Sequence, residues 1–168
     1  MPYDELLRLY KAGKRDFPGV DLSKRVLSGV NLRWANLRMA KLHKTVLVGV
    51  NLTEASLNEG DLSETKLYST LLEKANLRGV NLNRADLRGV NLTKVNLTRA
   101  NLSGANLQKV NLTGADLTGA NLSGADLQKV NLTGANLRGV DWTGVKFIET
   151  ELSGVHLLKP SSLVAQSS

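Results

Sequence analysis

A period of five residues runs through most of this chain. From Arg15 to Lys159 the sequence divides into 29 consecutive pentapeptides without an insertion. The central residue is Leu in 26 of them, and the residue two positions earlier is Ala in 11 and Val in 11. Asn or Asp directly precedes the central residue in 20 repeats, and the last residue is Gly in 13. Such repetition constrains the fold, because each unit has to pack against neighbours of the same kind.

Neither an α-helix nor a straight β-strand accommodates this period. On a helix, a step of five residues turns the side chain by roughly 140°, so the leucines would spread around the cylinder. On a straight strand, an odd period would place successive leucines on opposite faces. All of the leucines point inward only if the chain itself turns once in every pentapeptide. Four such turns close a square coil in which residues twenty apart stack on one another.

The repeats resemble those of a known family. Segments such as ANLSG at 100–104, ADLTG at 115–119 and VNLTG at 130–134 are similar to the consensus A(D/N)LXX of pentapeptide-repeat proteins. The resemblance covers residues 15–159, and the N-terminal segment and composition look most like small cyanobacterial members. It implies an all-β solenoid, a right-handed quadrilateral β-helix of about seven coils.

Each position of the repeat has a physical role in such a coil. The central Leu and the small residue two positions earlier fill a narrow interior. Asn and Asp before the Leu suit corners, because their side chains can bond to neighbouring backbone groups. Gly at the last position tolerates the positive φ that a turn requires.

The ends of an open solenoid need covering, because they expose apolar side chains and unpaired backbone groups. We expect residues 1–14 to form a capping segment with a helix at 4–12, Asp4 as its N-cap and Gly13 as its stop. Leu6, Leu9 and Tyr10 would share the face that covers the first coil. The β-helix would occupy residues 15–159, and we expect the tail at 160–168 to be frayed rather than folded over the last coil.

No constellation of residues indicates catalysis. Cysteine is absent, and we interpret His43 and His156 as solvated residues of the repeat surface. The interior positions are occupied by Leu, Ala and Val, which leaves no concave site with converging polar groups. The sequence therefore predicts a protein that is not an enzyme, with no cofactor, metal or small-molecule substrate. It has no signal-peptide pattern and no apolar stretch of membrane-spanning length, so a cytoplasmic location without membrane binding is expected.

Three functions remain open. The first is a rigid scaffold that binds an unidentified protein partner on its flat faces, as solenoids commonly do. The second is nonspecific nucleic-acid binding, because the net charge is +7 and phosphates attract basic surfaces. The third comes from the family, some members of which bind DNA gyrase as acidic mimics of DNA. Basic outward residues disfavour that mimicry here: Arg33, Arg38, Lys44, Arg78, Arg84, Arg88, Lys94, Arg99 and Lys109.

One group of apolar residues departs from the consensus at outward positions. In a twenty-residue register, Val26 and Val46 stack where a corner Asn or Asp normally stands. Val48 and Tyr68 stack at the outward position after the central Leu. The sequence thus predicts a partner-binding patch on one face of the N-terminal half, for a foreign partner or a second copy, with Glu64, Lys66 and Arg88 as a polar rim. The alternative interpretation is that drifted repeats tolerate β-branched residues on a strand surface. The adjoining stretch 55–74 is the most degenerate coil, and Leu71 there replaces another corner Asn.

Overall fold

Parallel bridges between residues twenty apart run along the whole repeat region of the computed structural model, which describes residues 1–157. They begin with the pair Asp16 and Asn36 and continue to the pair Asn136 and His156. Each coil therefore has four sides and lies directly over the preceding one. The predicted quadrilateral β-helix is confirmed. The prediction of a frayed tail at 160–168 concerns residues outside the described range.

Regular elements are few, because each side of the coil is only about three residues long. The helix α1 spans Tyr3–Lys11. The strands β1 (Val26–Ser28), β2 (Val46–Val48) and β3 (Lys66–Tyr68) form a parallel sheet in the order β1-β2-β3. We refer to the side of the coil that carries them as the β1–β3 face. The other sides pair through single bridges.

The interior contains the residues that the repeat predicts. Leu97 and Leu117 are fully buried, and they stack because their neighbours Asn96 and Asp116 are bridged. The small residues two positions before each central residue, such as Ala100, are buried between the corners. Only in the last coil do the central residues become half-buried, at Trp142, Phe147, Leu152 and Leu157.

One repeat shows how the backbone is satisfied. Leu97 and Arg99 donate their N–H groups to carbonyls of the next coil, and Asn96 donates to the preceding coil, at N–O distances of 2.7–3.1 Å. Ala100 donates to the carbonyl of Leu97 at 2.9 Å and closes the turn. The N–H of Thr98 donates to Oδ1 of Asn96 at 3.0 Å. All five N–H groups have acceptors, as interior backbone requires. The predicted bond from Asn or Asp to the backbone is confirmed, but their predicted place at a corner is wrong. These residues form the bridges along the sides, and the corners lie at the two residues after the central Leu.

The turns impose a left-handed conformation on the last residue of every described repeat. Glycines there have positive φ, as predicted, but so do fifteen other residues, with φ between 51° and 61°. Positive φ at the third residue is what a type II turn requires. A side chain in this conformation costs roughly 1–2 kcal/mol, because its Cβ approaches the following carbonyl oxygen. The fold therefore carries strain at these corners.

Met39 tests this strain cleanly, since it is uncharged, half-exposed and has φ 57°. Replacing Met39 by Gly is expected to raise the free energy of unfolding by about 1 kcal/mol. Met39→Ala, which retains the Cβ, should give no comparable gain. Urea denaturation followed by circular dichroism measures both changes. A Met39→Gly variant no more stable than Met39→Ala would contradict the strain.

Threonine replaces the small interior residue at several positions, which the Ala/Val pattern of the repeat does not predict. Thr45, Thr65 and Thr70 are buried. The hydroxyl of Thr45 donates to the carbonyl of Leu22 at 2.8 Å, and that of Thr65 donates to the carbonyl of Leu42 at 2.9 Å. Threonine thus fills the volume of a valine while its hydroxyl remains satisfied, which a buried polar group needs.

The capping helix begins earlier than predicted. Pro2 is the N-cap and no side chain caps the helix, so the assignment of Asp4 as N-cap is wrong. Proline fits this position because its fixed φ suits the start of a helix and the missing N–H has no helical acceptor. The predicted stop is confirmed: Gly13 has φ 94°, and the N–H groups of Gly13 and Lys14 donate to Tyr10 and Leu9, as in a Schellman motif.

The predicted apolar face of α1 packs against the first coil. Leu6 is fully buried, and Leu9 and Tyr10 are partly buried against the core. The hydroxyl of Tyr10 donates to the carbonyl of Arg33 at 2.8 Å. In later coils, the equivalent carbonyl accepts a hydrogen bond from an N–H of the preceding coil, as Thr53 does from Trp34. Arg33 lies in the first coil and has no such donor. Helix α1 therefore covers apolar surface and also satisfies part of the open backbone edge.

Candidate partner-binding face

The structure brings the four predicted patch residues together on the β1–β3 face. Val26 is the register partner of Val46, and Val48 is the register partner of Tyr68. The exposed fractions are 68% for Val26, 38% for Val48 and 40% for Tyr68, and Val46 is half-buried. We call these four residues the apolar patch.

The fold does not require apolar side chains at these positions. Further along the same face, Asn106 and Asp126 occupy the register of Val26 and Val46. Gln108 and Gln128 occupy the register of Val48 and Tyr68 by the same count of twenty. Coils with polar residues there still stack through a single bridge in each repeat, although the three-residue ladder is confined to β1–β3. Stacking of the coils therefore does not require apolar side chains at these four positions.

The charges around the apolar patch are mainly basic. Lys24 and Arg25 directly precede β1 and are exposed, and Lys66 stands beside Val46 in the sheet. None of the three forms an ion pair within residues 1–157. Of the rim that the sequence predicts, Glu64 lies 3.5 Å from the ammonium of Lys44, which reduces its negative field.

The side chain of Arg88 is paired with the carboxylate of Asp86, two residues earlier on the same side of the coil. Its Nε and Nη2 donate to the two carboxylate oxygens of Asp86 at 2.8 and 2.7 Å. The hydrogen bonds from the Arg88 side chain are the main cause that lowers the pKa of Asp86 below its usual value. Since the folded pKa is lowered, this pair contributes stability above pH ~4 and loses it as the carboxyl is protonated at lower pH.

A shallow cleft of about 330 Å³ adjoins the apolar patch beside Tyr68. It is lined by Tyr68, Arg88, Gly89, Gln108 and Lys109. Glycine at the corner opens this space, because no side chain projects there. The cleft gives the patch an aromatic wall and two basic neighbours.

Leu71 lies outside the patch, around the corner formed by Ser69 and Thr70. It is bridged to Asn51 and Asn91 on the neighbouring face and is half-exposed. The degenerate stretch 55–74 thus contributes apolar surface to two faces rather than one.

Several of the predicted outward basic residues are engaged in ion pairs. Arg33 lies 2.7 Å from Glu54, and Arg38 lies 3.0 Å from Glu59. Lys44 and Arg88 pair as described above. Exposed pairs contribute little to stability, but each pairing lowers the positive charge offered to a polyanion.

A second cleft, which sequence reasoning missed, lies between α1 and the first coil. Its volume is about 530 Å³, and Leu7, Tyr10 and Lys11 of the helix form one wall. The other lining residues are Arg15, Gly29, Val30 and Asn31. Sequence carries no signal for this cleft, because it depends on how the helix sits on the coil end.

The two histidines occupy the repeat surface. Nδ1 of His43 lies 2.9 Å from Oγ of Ser63, and His156 is exposed. Among residues 1–157, no group of His, Cys, Asp and Glu is arranged to hold a metal ion. In that same range, no helix has the length and apolar character needed to cross a membrane.

The family model for pentapeptide repeats matches this chain in eight copies that together span residues 16–157. The chain therefore belongs to the pentapeptide-repeat family, and its fold is the right-handed quadrilateral β-helix of that family. The matched segments include 16–53, 35–73, 61–99, 71–108, 96–134 and 125–157. No curated protein matches the chain significantly.

Solved structures of other family members are similar to this chain. HetL, involved in heterocyst differentiation regulation in the cyanobacterium Nostoc, is 28% identical over 92% of this chain and 96% of its own, with TM-score 0.45. A thylakoid-lumen protein of Arabidopsis thaliana is 28% identical over 70% of this chain and 68% of its own, with TM-score 0.43. QnrB1, a plasmid-mediated fluoroquinolone resistance protein, is 20% identical over 84% and 81%, with TM-score 0.39.

Proposed function

We propose that this protein is a non-enzymatic interaction scaffold whose apolar patch binds a partner protein with acidic groups around an apolar contact surface. The observation that carries the proposal is the clustering of Val26, Val46, Val48 and Tyr68 on one face, where the same register elsewhere is polar. A solenoid holds such residues on a rigid backbone, so little conformational entropy is lost when a partner binds.

Charge favours a foreign partner over a second copy. Lys24, Arg25 and Lys66 surround the apolar patch, and residues 1–50 carry ten basic and four acidic side chains. Two copies joined through this face would bring like charges together, which opposes association. An acidic partner would gain from the same charges in encounter rate and in specificity.

The same charge distribution disfavours mimicry of DNA. A mimic has to present negative charge where DNA has phosphates, whereas this patch and its surroundings are basic. Nucleic-acid binding would use phosphate contacts together with a row of aromatic side chains for base stacking. The exposed aromatic residues beside basic ones, Trp34 at Arg33 and Tyr68 at Arg88, are two isolated side chains and form no such row. A protein partner accounts for the apolar residues, which phosphate contacts do not explain.

The test replaces Val46, Val48 and Tyr68 by Ser. Because their register partners elsewhere are polar, we expect the variant to fold with an unchanged melting temperature and to lose at least tenfold in affinity for the partner. Affinity capture followed by mass spectrometry supplies candidates, and each candidate is then purified and titrated against both forms. Binding should weaken with rising salt, because the charges at the patch are exposed.

The matched control replaces Thr93, Thr113 and Thr133 by Ser on the neighbouring face, which removes three outward methyl groups from the same repeat position. This control should bind as the unaltered protein does. Two outcomes contradict the proposal: every purified complex survives the patch variant, or sedimentation shows a dimer that the patch variant dissociates.

A further inference from the structure

We infer that the N-terminal edge of the β1–β3 face, together with the cleft under α1, binds an extended acidic peptide segment by β-strand addition. The inference rests on the proposed function only in assigning a protein as partner. Its site shares Val26 with the apolar patch but consists of the backbone edge of β1 and the cleft under α1. It uses the open backbone of β1 and the cleft lined by Leu7, Lys11 and Arg15.

Strand β1 is an edge strand with unused hydrogen-bonding groups. In β2, the N–H of Val46 donates to the carbonyl of Arg25, and the carbonyl of Val48 accepts from the N–H of Gly29, both at 2.8 Å. The equivalent groups one coil earlier belong to Val26 and Ser28, and no described residue bonds to them. An exposed edge of this kind is a template for another strand.

On the next side of the first coil, by contrast, an outer backbone group has a hydrogen-bond partner. The carbonyl of Arg33, on the next side of the same coil, accepts from the hydroxyl of Tyr10. Helix α1 thus satisfies the carbonyl of Arg33 on the next side of the coil. The outer backbone groups of β1 have no such partner among the described residues, and Val26 in this strand is 68% exposed. The edge that α1 leaves uncovered is also the edge of the β1-β2-β3 sheet.

The open edge leads directly into the cleft. Gly29, Val30 and Asn31 follow β1 in sequence and line the cleft of about 530 Å³ opposite Leu7 and Tyr10. An extended segment paired with β1 and running parallel to it would place its C-terminal residues in this space. The cleft would hold an apolar side chain against Leu7 and Val30, both of which pack only partly against the core.

Both ends of the track are basic. Lys24 and Arg25 precede β1, and Lys11 and Arg15 line the cleft at the other end. The guanidinium of Arg15 is fixed over the Tyr10 ring, 3.9 Å from its centroid, and its Nη1 donates to the carbonyl of Tyr10 at 2.9 Å. An occupant with acidic residues flanking alternate apolar residues matches this arrangement, whereas a second copy of this basic end does not.

The probe is the fluorescein-labelled peptide EVTVEE, measured by fluorescence anisotropy on the full chain. We expect saturable binding and at least tenfold slower hydrogen exchange of the Val26 amide when the peptide is bound. EVPVEE, which lacks the central N–H, and KVTVKK, with the charges reversed, should each bind at least tenfold more weakly. The Val46, Val48 and Tyr68 to Ser variant should bind EVTVEE as well as the unaltered protein does, which separates this site from the apolar patch.

On the protein side, Val26→Pro removes the edge donor at the first residue of an edge strand, where proline is tolerated. It should keep the melting temperature and reduce EVTVEE binding at least tenfold. The peptide N-methylated at Thr tests the same bond without altering the protein fold. The inference is overturned if EVTVEE and EVPVEE bind equally, or if no peptide binds at millimolar concentration. It is also overturned if hydrogen exchange slows at other amides but not at Val26. A dimer that Val26→Pro dissociates would equally contradict it.

Discussion

Replacing Leu97 by Lys should unfold the protein or lower its free energy of unfolding by at least about 3 kcal/mol. Leu97 is fully buried, and the stacked residues Leu77 and Leu117 are buried as well. The ammonium group would be surrounded by Leu, Ala and Val side chains, with no carboxylate among the described buried residues. Since small domains are stable by only about 5–15 kcal/mol, the change would remove a large part of the total. Urea denaturation followed by circular dichroism gives the number.

Two further variants separate the effect of the buried charge from the effect of the lost leucine side chain. Thr98→Lys places the same charge on the next residue, which faces outward, and it should change stability by less than about 1 kcal/mol apart from the lost hydroxyl bond to Asn96. Leu97→Ala leaves a cavity without a charge and should cost about 2–5 kcal/mol. If Leu97→Lys melts like the unaltered protein, the interior assignment of the central leucines is wrong.

The fold follows from the sequence because every pentapeptide repeats the same requirement, an apolar central residue that has to be buried. A period of five excludes a helix and a straight strand, and one solution remains in which every central Leu is inside. The register of twenty then predicts the neighbours of each residue, which is why the pairing of Val48 with Tyr68 follows from the sequence alone. A single Val or Tyr on an outward position would have carried no such information.

Other features do not follow from the pattern, for identifiable reasons. Glycine at the turn signals positive φ, but Lys, Arg and Glu at the same position signal nothing, because their intrinsic preference is overridden by the coil. Threonine inside the coil resembles a polar surface residue until the carbonyl that accepts its hydroxyl is known. The cleft at Lys11 and Arg15 depends on the seating of α1, and a five-residue period contains no information on that.

The apolar patch illustrates the boundary between these cases. Its positions follow from the register, and its exposure is a property of the coil. Binding of a partner at the patch is a proposal, which the replacement of Val46, Val48 and Tyr68 by Ser tests. In that proposal, the basic residues Lys24, Arg25 and Lys66 favour a partner with acidic groups.

The second large effect is expected from removing residues 1–13. The deletion takes away Leu6, which is fully buried, and the hydroxyl of Tyr10 that satisfies the carbonyl of Arg33. It would expose Phe17 and the apolar interior of the first coil at an end that already presents unpaired backbone groups. Open edges of this kind associate. We therefore expect the truncated chain to form oligomers or precipitate, and to melt at a lower temperature than the full chain.

Sedimentation velocity across a range of protein concentrations measures the association, and thermal denaturation measures the stability. Two full-length variants separate the contributions of α1. Leu6→Ala keeps the helix but removes its buried contact, and it should cost about 2–5 kcal/mol. Tyr10→Phe removes only the hydroxyl and should cost about 1 kcal/mol, because one carbonyl loses its donor at a partly solvated site. A truncated chain that stays monomeric with an unchanged melting temperature would show that α1 is an appendage and that the first coil is stable as an open end.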